Sequence, residues 1–117
     1  MSREPFELLR SDIVCCTSTV ASRDEADSIA GQLLAESLAA CVQIDGPIRS
    51  HFRWKGETHC SEEFRLTIKT SGDAWSRLKI RLAEIHSYDE PQIICTKIVD
   101  ATDDYRDWVV AQTKVSS

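Results

Sequence analysis

From Arg49 onward the chain alternates strictly, with Arg49, His51, Arg53 and Lys55 on one side and Ser50, Phe52 and Trp54 on the other. A period of two belongs to a β-strand, whose successive side chains point to opposite faces. Lys55-Gly56-Glu57 supplies a turn containing glycine. The alternation then resumes through Phe64, Leu66 and Ile68, with Arg65, Thr67 and Lys69 opposite. These arms form a hairpin whose first strand starts at Cys41, and Gly46-Pro47 inside that strand marks a bulge or bend. Extended at about 3.3 Å per residue, Cys41 to Trp54 reaches roughly 46 Å. A compact chain of this length has a diameter of roughly 35 Å. The hairpin should therefore overhang its own domain and carry Phe52 and Trp54 into water. The expectation is a homo-oligomer in which each hairpin docks on a neighbour. The alternative is that the Gly46-Pro47 break folds the ribbon back over its own chain.

The flanking segments complete a pattern. Ile13-Val14-Cys15-Cys16-Thr17 is a short β-branched apolar run, read as a buried strand. Ser22-Arg23-Asp24-Glu25 fits a capping box, with the Ser22 hydroxyl and the Glu25 carboxylate both serving orphan amides. Behind it Ala26, Ile29, Ala30, Leu33, Leu34 and Leu38 recur at helical spacing. Gly72-Asp73 opens a second helix with Trp75, Leu78, Leu82 and Ile85 as its inward stripe. Pro91 makes His86 to Pro91 a loop. A fourth strand is expected over Ile93–Val99, and Thr102-Asp103-Asp104 begins a short helix carrying Tyr105, Trp108 and Val109. The order β-α-β-β-α-β-α, with right-handed crossovers, gives an α+β fold: a ferredoxin-like βαββαβ sandwich with an antiparallel sheet and an extra C-terminal helix. Residues 1–11 read as a flexible leader, and residues 12–117 as a single domain.

Composition narrows the function. The chain has 117 residues, 42% of them hydrophobic and 28% charged, which suits one ordinary globular domain. A net charge of −5 argues against a protein built to grip nucleic acid. No apolar run approaches the roughly 20 residues of a membrane-crossing helix, and no apolar secretory core follows the start. A cytoplasmic location, with neither membrane nor nucleic acid as partner, is expected. Five cysteines without a C-x-x-C pair disfavour both a disulfide framework and a structural zinc site. Nucleophile-elbow, zinc-protease, P-loop and dinucleotide motifs are absent from the sequence, so a non-catalytic protein is expected.

Five blocks, in order, resemble the CutA family of divalent-cation tolerance proteins. They are Leu38-Ala39-Ala40-Cys41-Val42-Gln43, then Ser50-His51-Phe52-Arg53-Trp54-Lys55-Gly56-Glu57, then Glu63 through Lys69-Thr70. His86-Ser87-Tyr88 followed by Pro91, and Tyr105 three before Trp108, complete the series. The resemblance implies a ferredoxin-like homotrimer, similar in architecture to PII-type signalling proteins. It further implies a role linked to copper or another divalent cation, and no organic cofactor. The chain departs from the family pattern in three places. Ser87 stands where proline is usual, Phe52 where tyrosine is frequent, and Gln92 where glutamate is usual. The last exchanges a carboxylate for a neutral amide, a poorer ligand for a divalent ion.

The resemblance also directs attention to particular side chains. Cys16 stands where some members have a copper-associated thiol, and thiolate suits Cu(I) while imidazole suits Cu(II) and zinc. His86 is the natural nitrogen partner for such a metal site. Against this, Cys16 also reads as a small buried residue, which is what free cysteines most often are, and His86 equally as a brace for its loop. Trp54, Glu63, Lys69 and Tyr88 form the second set, with an inter-subunit pocket implied. Lys69 would hold an anion, and Trp54 or Tyr88 would supply a wall. The competing reading is a Glu63–Lys69 ion pair with aromatic interface packing. His51, His59 and Cys60 flank the turn and read as surface decoration. Two functions follow: a non-catalytic homotrimer for copper binding and tolerance, or a trimeric scaffold with inter-subunit clefts for a small ligand or protein partner.

Overall fold

The computed structural model describes residues 7–114. Its elements run β1 (Ile13–Val20), α1 (Arg23–Ala35), β2 (Cys41–Trp54), β3 (Glu57–Ser71), α2 (Gly72–Ile85), β4 (Ile94–Lys97) and α3 (Asp103–Gln112). The sheet order is β2-β3-β1-β4, and its three pairings are all antiparallel. This is the expected α+β ferredoxin-like arrangement, with α3 as the added C-terminal helix.

The register fixes which residues are buried. Cys16 faces Ile68 on one side and Cys95 on the other, and Ser18 faces Leu66. Together with Val20 these form the helix-side face, onto which Ile29 and Leu33 of α1 and Leu78 and Leu82 of α2 pack. Val109 of α3 packs with Ile13, whose odd position in β1 puts it on the opposite face, and with Ala40 just ahead of β2.

The hairpin is as long as its alternation demands. β2 has 14 residues and β3 has 15, joined through Lys55 and Gly56 at φ 50° and 79°. Two consecutive positive φ values define the two-residue turn whose twist matches the flanking strands, and Gly56 adopts its share without steric cost. The register slips once, between Asp45 and Ile48, at the cis Gly46–Pro47 bond. Pairing continues beyond that bulge to Trp54 and Glu57, so the ribbon bends without folding back. The radius of gyration is 15.2 Å, against about 13 Å for a compact chain of this size. Phe52 and Trp54 remain 43% and 41% exposed.

Three details differ from the sequence reading. β4 is four residues, not seven: it pairs only from Val14↔Lys97 to Thr17↔Ile94, Pro91 limits it upstream, and Val99 is fully out in solvent. β3 begins at Glu57 rather than near Phe64, because cross-strand pairing extends to the turn. α1 stops at Ala35 with Leu34 exposed, and Ser37 at φ 57° reverses the chain so that Leu38 reaches the core from the loop. Of the segment read as a leader, residues 1–6 lie outside the described residues. Leu9 to Asp12 form a turn in which the Leu9 amide donates to Asp12 Oδ2 at 2.7 Å and the Asp12 amide to Leu9 O at 3.1 Å. Arg10 pairs with Asp73 at the head of α2.

Candidate functional site

The loop from α2 to β4 crosses the end of the sheet and is pinned at three successive residues. His86 is buried; its Nε2–H donates to Thr19 O at 2.9 Å, and its Nδ1 accepts the Tyr88 amide at 3.1 Å. An amide can donate only to a bare ring nitrogen, so the second bond fixes the tautomer of the first. The Ser87 amide donates to Glu25 Oε2 at 3.1 Å. The Tyr88 hydroxyl donates to Glu63 Oε2 at 2.8 Å. Glu25 thus departs from the capping-box expectation. Ser22 Oγ caps α1 by accepting the Glu25 amide, while the Glu25 carboxylate turns away to hold the loop.

These bonds shape a cleft of about 700 Å³ between the loop and the outer arm of β2, with Phe52 and Trp54 on one side and Tyr88, Glu90 and Gln92 on the other. Glu63, only 7% exposed, lies between them. Among the described residues no cation pairs with it, and Asp89 and Glu90 add negative charge nearby. A carboxylate withdrawn from water without a counter-charge is costly. Tyr88 is held neutral: desolvation first, then its bond to Glu63, pushes the phenol up to about 12.

Trp54, Glu63 and Tyr88 are therefore brought together, and Gln92, where the family usually has glutamate, lines the same cleft. Lys69 is elsewhere. It lies six residues along β3 from Glu63, roughly 20 Å at about 3.3 Å per residue, and donates to Gln43 Oε1. A Glu63–Lys69 ion pair is excluded by that separation. Cys16 lies in the core at 0% exposure, and burial, then Cys95 and Cys15, pushes its thiol up to about 12. His86, as it stands, has both ring nitrogens engaged. Among the described residues no three or more His, Cys, Asp or Glu side chains gather into a metal-binding group. Sequence reasoning missed Thr19 and Glu25 because one acts through its carbonyl and the other left a local motif for a distant loop. Asp89 and Glu90 carried a signal in their acidity but sat in a segment read only as a loop.

Fold and cleft together define a class: small ferredoxin-like α+β proteins with an overlong central hairpin and a polar-aromatic cleft beside it. Comparison places the chain within that class. The sequence model of the family described as CutA1 divalent ion tolerance protein matches residues 14–112, and the chain belongs to that family. A divalent-cation tolerance protein CutA of Thermus thermophilus is 38% identical over 95 residues, covering 81% of this chain and 92% of that one. The crystal structure of CutA1 from Ehrlichia chaffeensis matches with a TM-score of 0.85 at 30% identity, covering 89% and 97% of the two chains. That of CutA1 from Oryza sativa matches with a TM-score of 0.86 at 30% identity, covering 90% and 96%.

Proposed function

We propose that this protein serves divalent-cation tolerance as a non-catalytic homotrimer, binding the cation through the cleft around Glu63. The observation that carries the reading is the buried Glu63 carboxylate, bonded by a neutral phenol and unmatched by any cation among the described residues. A dication there supplies the missing charge, with Asp89 and Glu90 close by. Copper is the ion that the family resemblance favours, and carboxylate with water also accepts harder ions. The relatives' name, divalent-cation tolerance protein, supports the same role. The trimer is supported by the overhanging ribbon and by the resemblance, and it would close the cleft with a neighbouring copy.

Catalysis fits the side chains poorly. A Cys16–His86 nucleophile needs a thiol driven toward thiolate, whereas burial drives Cys16 the other way. The second placement of copper, on Cys16 and His86, requires His86 to give up a bond to Thr19 O or to the Tyr88 amide.

The test is calorimetric titration with Cu(II), and with Cu(I) under controlled redox conditions, of wild type, Glu63→Gln, Cys16→Ser and His86→Ala. The expected result is at least a tenfold weaker Cu(II) affinity in Glu63→Gln, with Cys16→Ser unchanged. Unchanged affinity in Glu63→Gln removes the cleft as the cation site, and a loss confined to Cys16→Ser and His86→Ala moves the ion to that pair. The scaffold reading draws on the half-exposed Trp54 and Phe52 rings. It prevails if Trp54→Ala abolishes capture of a small ligand or protein while all metal titrations stay as in wild type.

A further inference from the structure

A second group of metal-ligating side chains sits at the rim of the cleft, which His51 helps to line, but on the strand face opposite Phe52 and Trp54. His51 and Cys60 are directly opposite each other across β2 and β3, and His51 Nε2 stands 3.7 Å from Cys60 Sγ. Arg49, one step back on the same face of β2, donates from Nη2 to the same sulfur at 3.8 Å. His59, the neighbour of Cys60 in sequence, points the other way and stacks on Phe52 with ring centroids 5.4 Å apart. The hairpin thus sorts the cluster at its turn by strand parity: Cys60 is joined to His51 and separated from His59.

The span between sulfur and nitrogen carries chemical information. Zinc bonds thiolate sulfur at about 2.3 Å and imidazole nitrogen at about 2.0–2.1 Å. With those lengths, a separation of 3.7 Å sets the S–metal–N angle at roughly 116°, close to tetrahedral. A linear two-coordinate ion with the same bond lengths needs a span of about 4.3–4.4 Å, longer than the one found. The geometry points to a tetrahedral thiophilic dication, zinc or a close analogue, held by Cys60 Sγ and His51 Nε2, with its other two positions open to water. Binding releases the Cys60 thiol proton to solvent, since a coordinating thiol is deprotonated outright. Arg49 then donates to the bound thiolate as an outer partner that orients the ligand.

Cys60 is exposed in the single chain, and strand parity sets which side of the ribbon a docking copy would cover. Phe52, Trp54 and Ser50 share the apolar face of the ribbon, whereas Arg49, His51, Arg53, Cys60 and Glu62 share the other. Docking through the apolar face leaves the charged one in water. The pair shares His51 with the rim of the cleft but does not use Glu63, so Glu63→Gln and Cys60→Ser separate its failure from that of the cleft.

The experiment uses Co(II) as a spectroscopic stand-in for zinc, added to the reduced full chain. A thiolate-to-cobalt charge-transfer band in the near ultraviolet, saturable with added Co(II) and erased by Zn(II), is the expected result. Cys60→Ser should abolish the band, His51→Gln should weaken binding at least tenfold, and His59→Gln and Glu63→Gln should leave it intact. All four positions avoid the helix-side core, and circular dichroism checks that each variant is folded. A band that persists in Cys60→Ser, or equal binding in wild type and His51→Gln, overturns the assignment.

Discussion

Cys16 and Cys60 carry the same side chain and have opposite chemistry. Cys16 sits in the core with its thiol pushed up to about 12 by burial first and neighbouring thiols second, whereas Cys60 is exposed on the hairpin. An aromatic disulfide reagent at pH 8 should label Cys60 in the native protein and reach Cys16 only when the chain unfolds. Peptide mass spectrometry reads the order, and labelling of native Cys16 at the rate of Cys60 contradicts the burial argument. Tyr88 makes a pH-dependent counterpart. Its pKa is raised in the fold to about 12, so the neutral phenol is favoured by folding. That contribution is fully present below the unfolded value near 10 and disappears as pH rises through about 12. Cys16 and Cys95, also raised, act in the same sense. The Tyr88 share is therefore the difference between wild type and Tyr88→Phe. Urea unfolding at stepped pH from 8 to 11.5 should show a steeper alkaline loss in wild type, and parallel curves refute the assignment.

At the level of elements, most of the fold was legible because patterning and burial agree. The alternation of β2 and β3 and the stripe of Leu78 and Leu82 each admit one way of facing the core. The ends were less legible, since they depend on partners distant in sequence. β4 could not be trimmed to Ile94–Lys97 without knowing that it pairs with β1 alone, at the edge of the sheet. The cleft was half legible: its aromatic and acidic members announced themselves as residue types, but the placing of Glu63 with Tyr88, and of Lys69 far away, is a product of register. Glu25 illustrates the limit, because a motif that should close locally instead holds Ser87 across 62 positions. The junction of the first turn with α2 gives a test at this scale. A Cβ on Gly72 would stand 2.2 Å from Leu9 O, while the Gly72 amide donates to Asp12 O at 2.7 Å. Gly72→Ala must push that turn aside, at a cost of about 1–3 kcal/mol for an overpacked contact. The expected signs are a lower urea midpoint and faster amide exchange at Gly72. Wild-type values for both show that the turn has no structural hold on α2.

For the whole molecule, the edge strand decides the outcome. β2 is 14 residues long and lies at the margin of the sheet, so its outer backbone groups have no strand partner among the described residues. A long unpaired edge that also carries Phe52 and Trp54 is a surface that proteins cover or blunt. The bulge at Gly46–Pro47 interrupts pairing locally but leaves the outer arm extended. The proposed association of three copies would bury the apolar face of each ribbon, keep Arg49 and Arg53 in water, and wall the cleft that holds Glu63. Light scattering on dilute, untagged protein should therefore return three times the mass of one chain. Phe52→Glu with Trp54→Glu places two carboxylates on the docking face, where desolvation and mutual repulsion oppose assembly. That double variant should elute as a single folded chain, with its far-ultraviolet spectrum retained because neither side chain belongs to the core. It should keep the Co(II) band of Cys60 and His51, since that pair needs no neighbour. A wild type that returns one chain's mass removes the trimer. A double variant that stays trimeric shows that the copies meet through some other face.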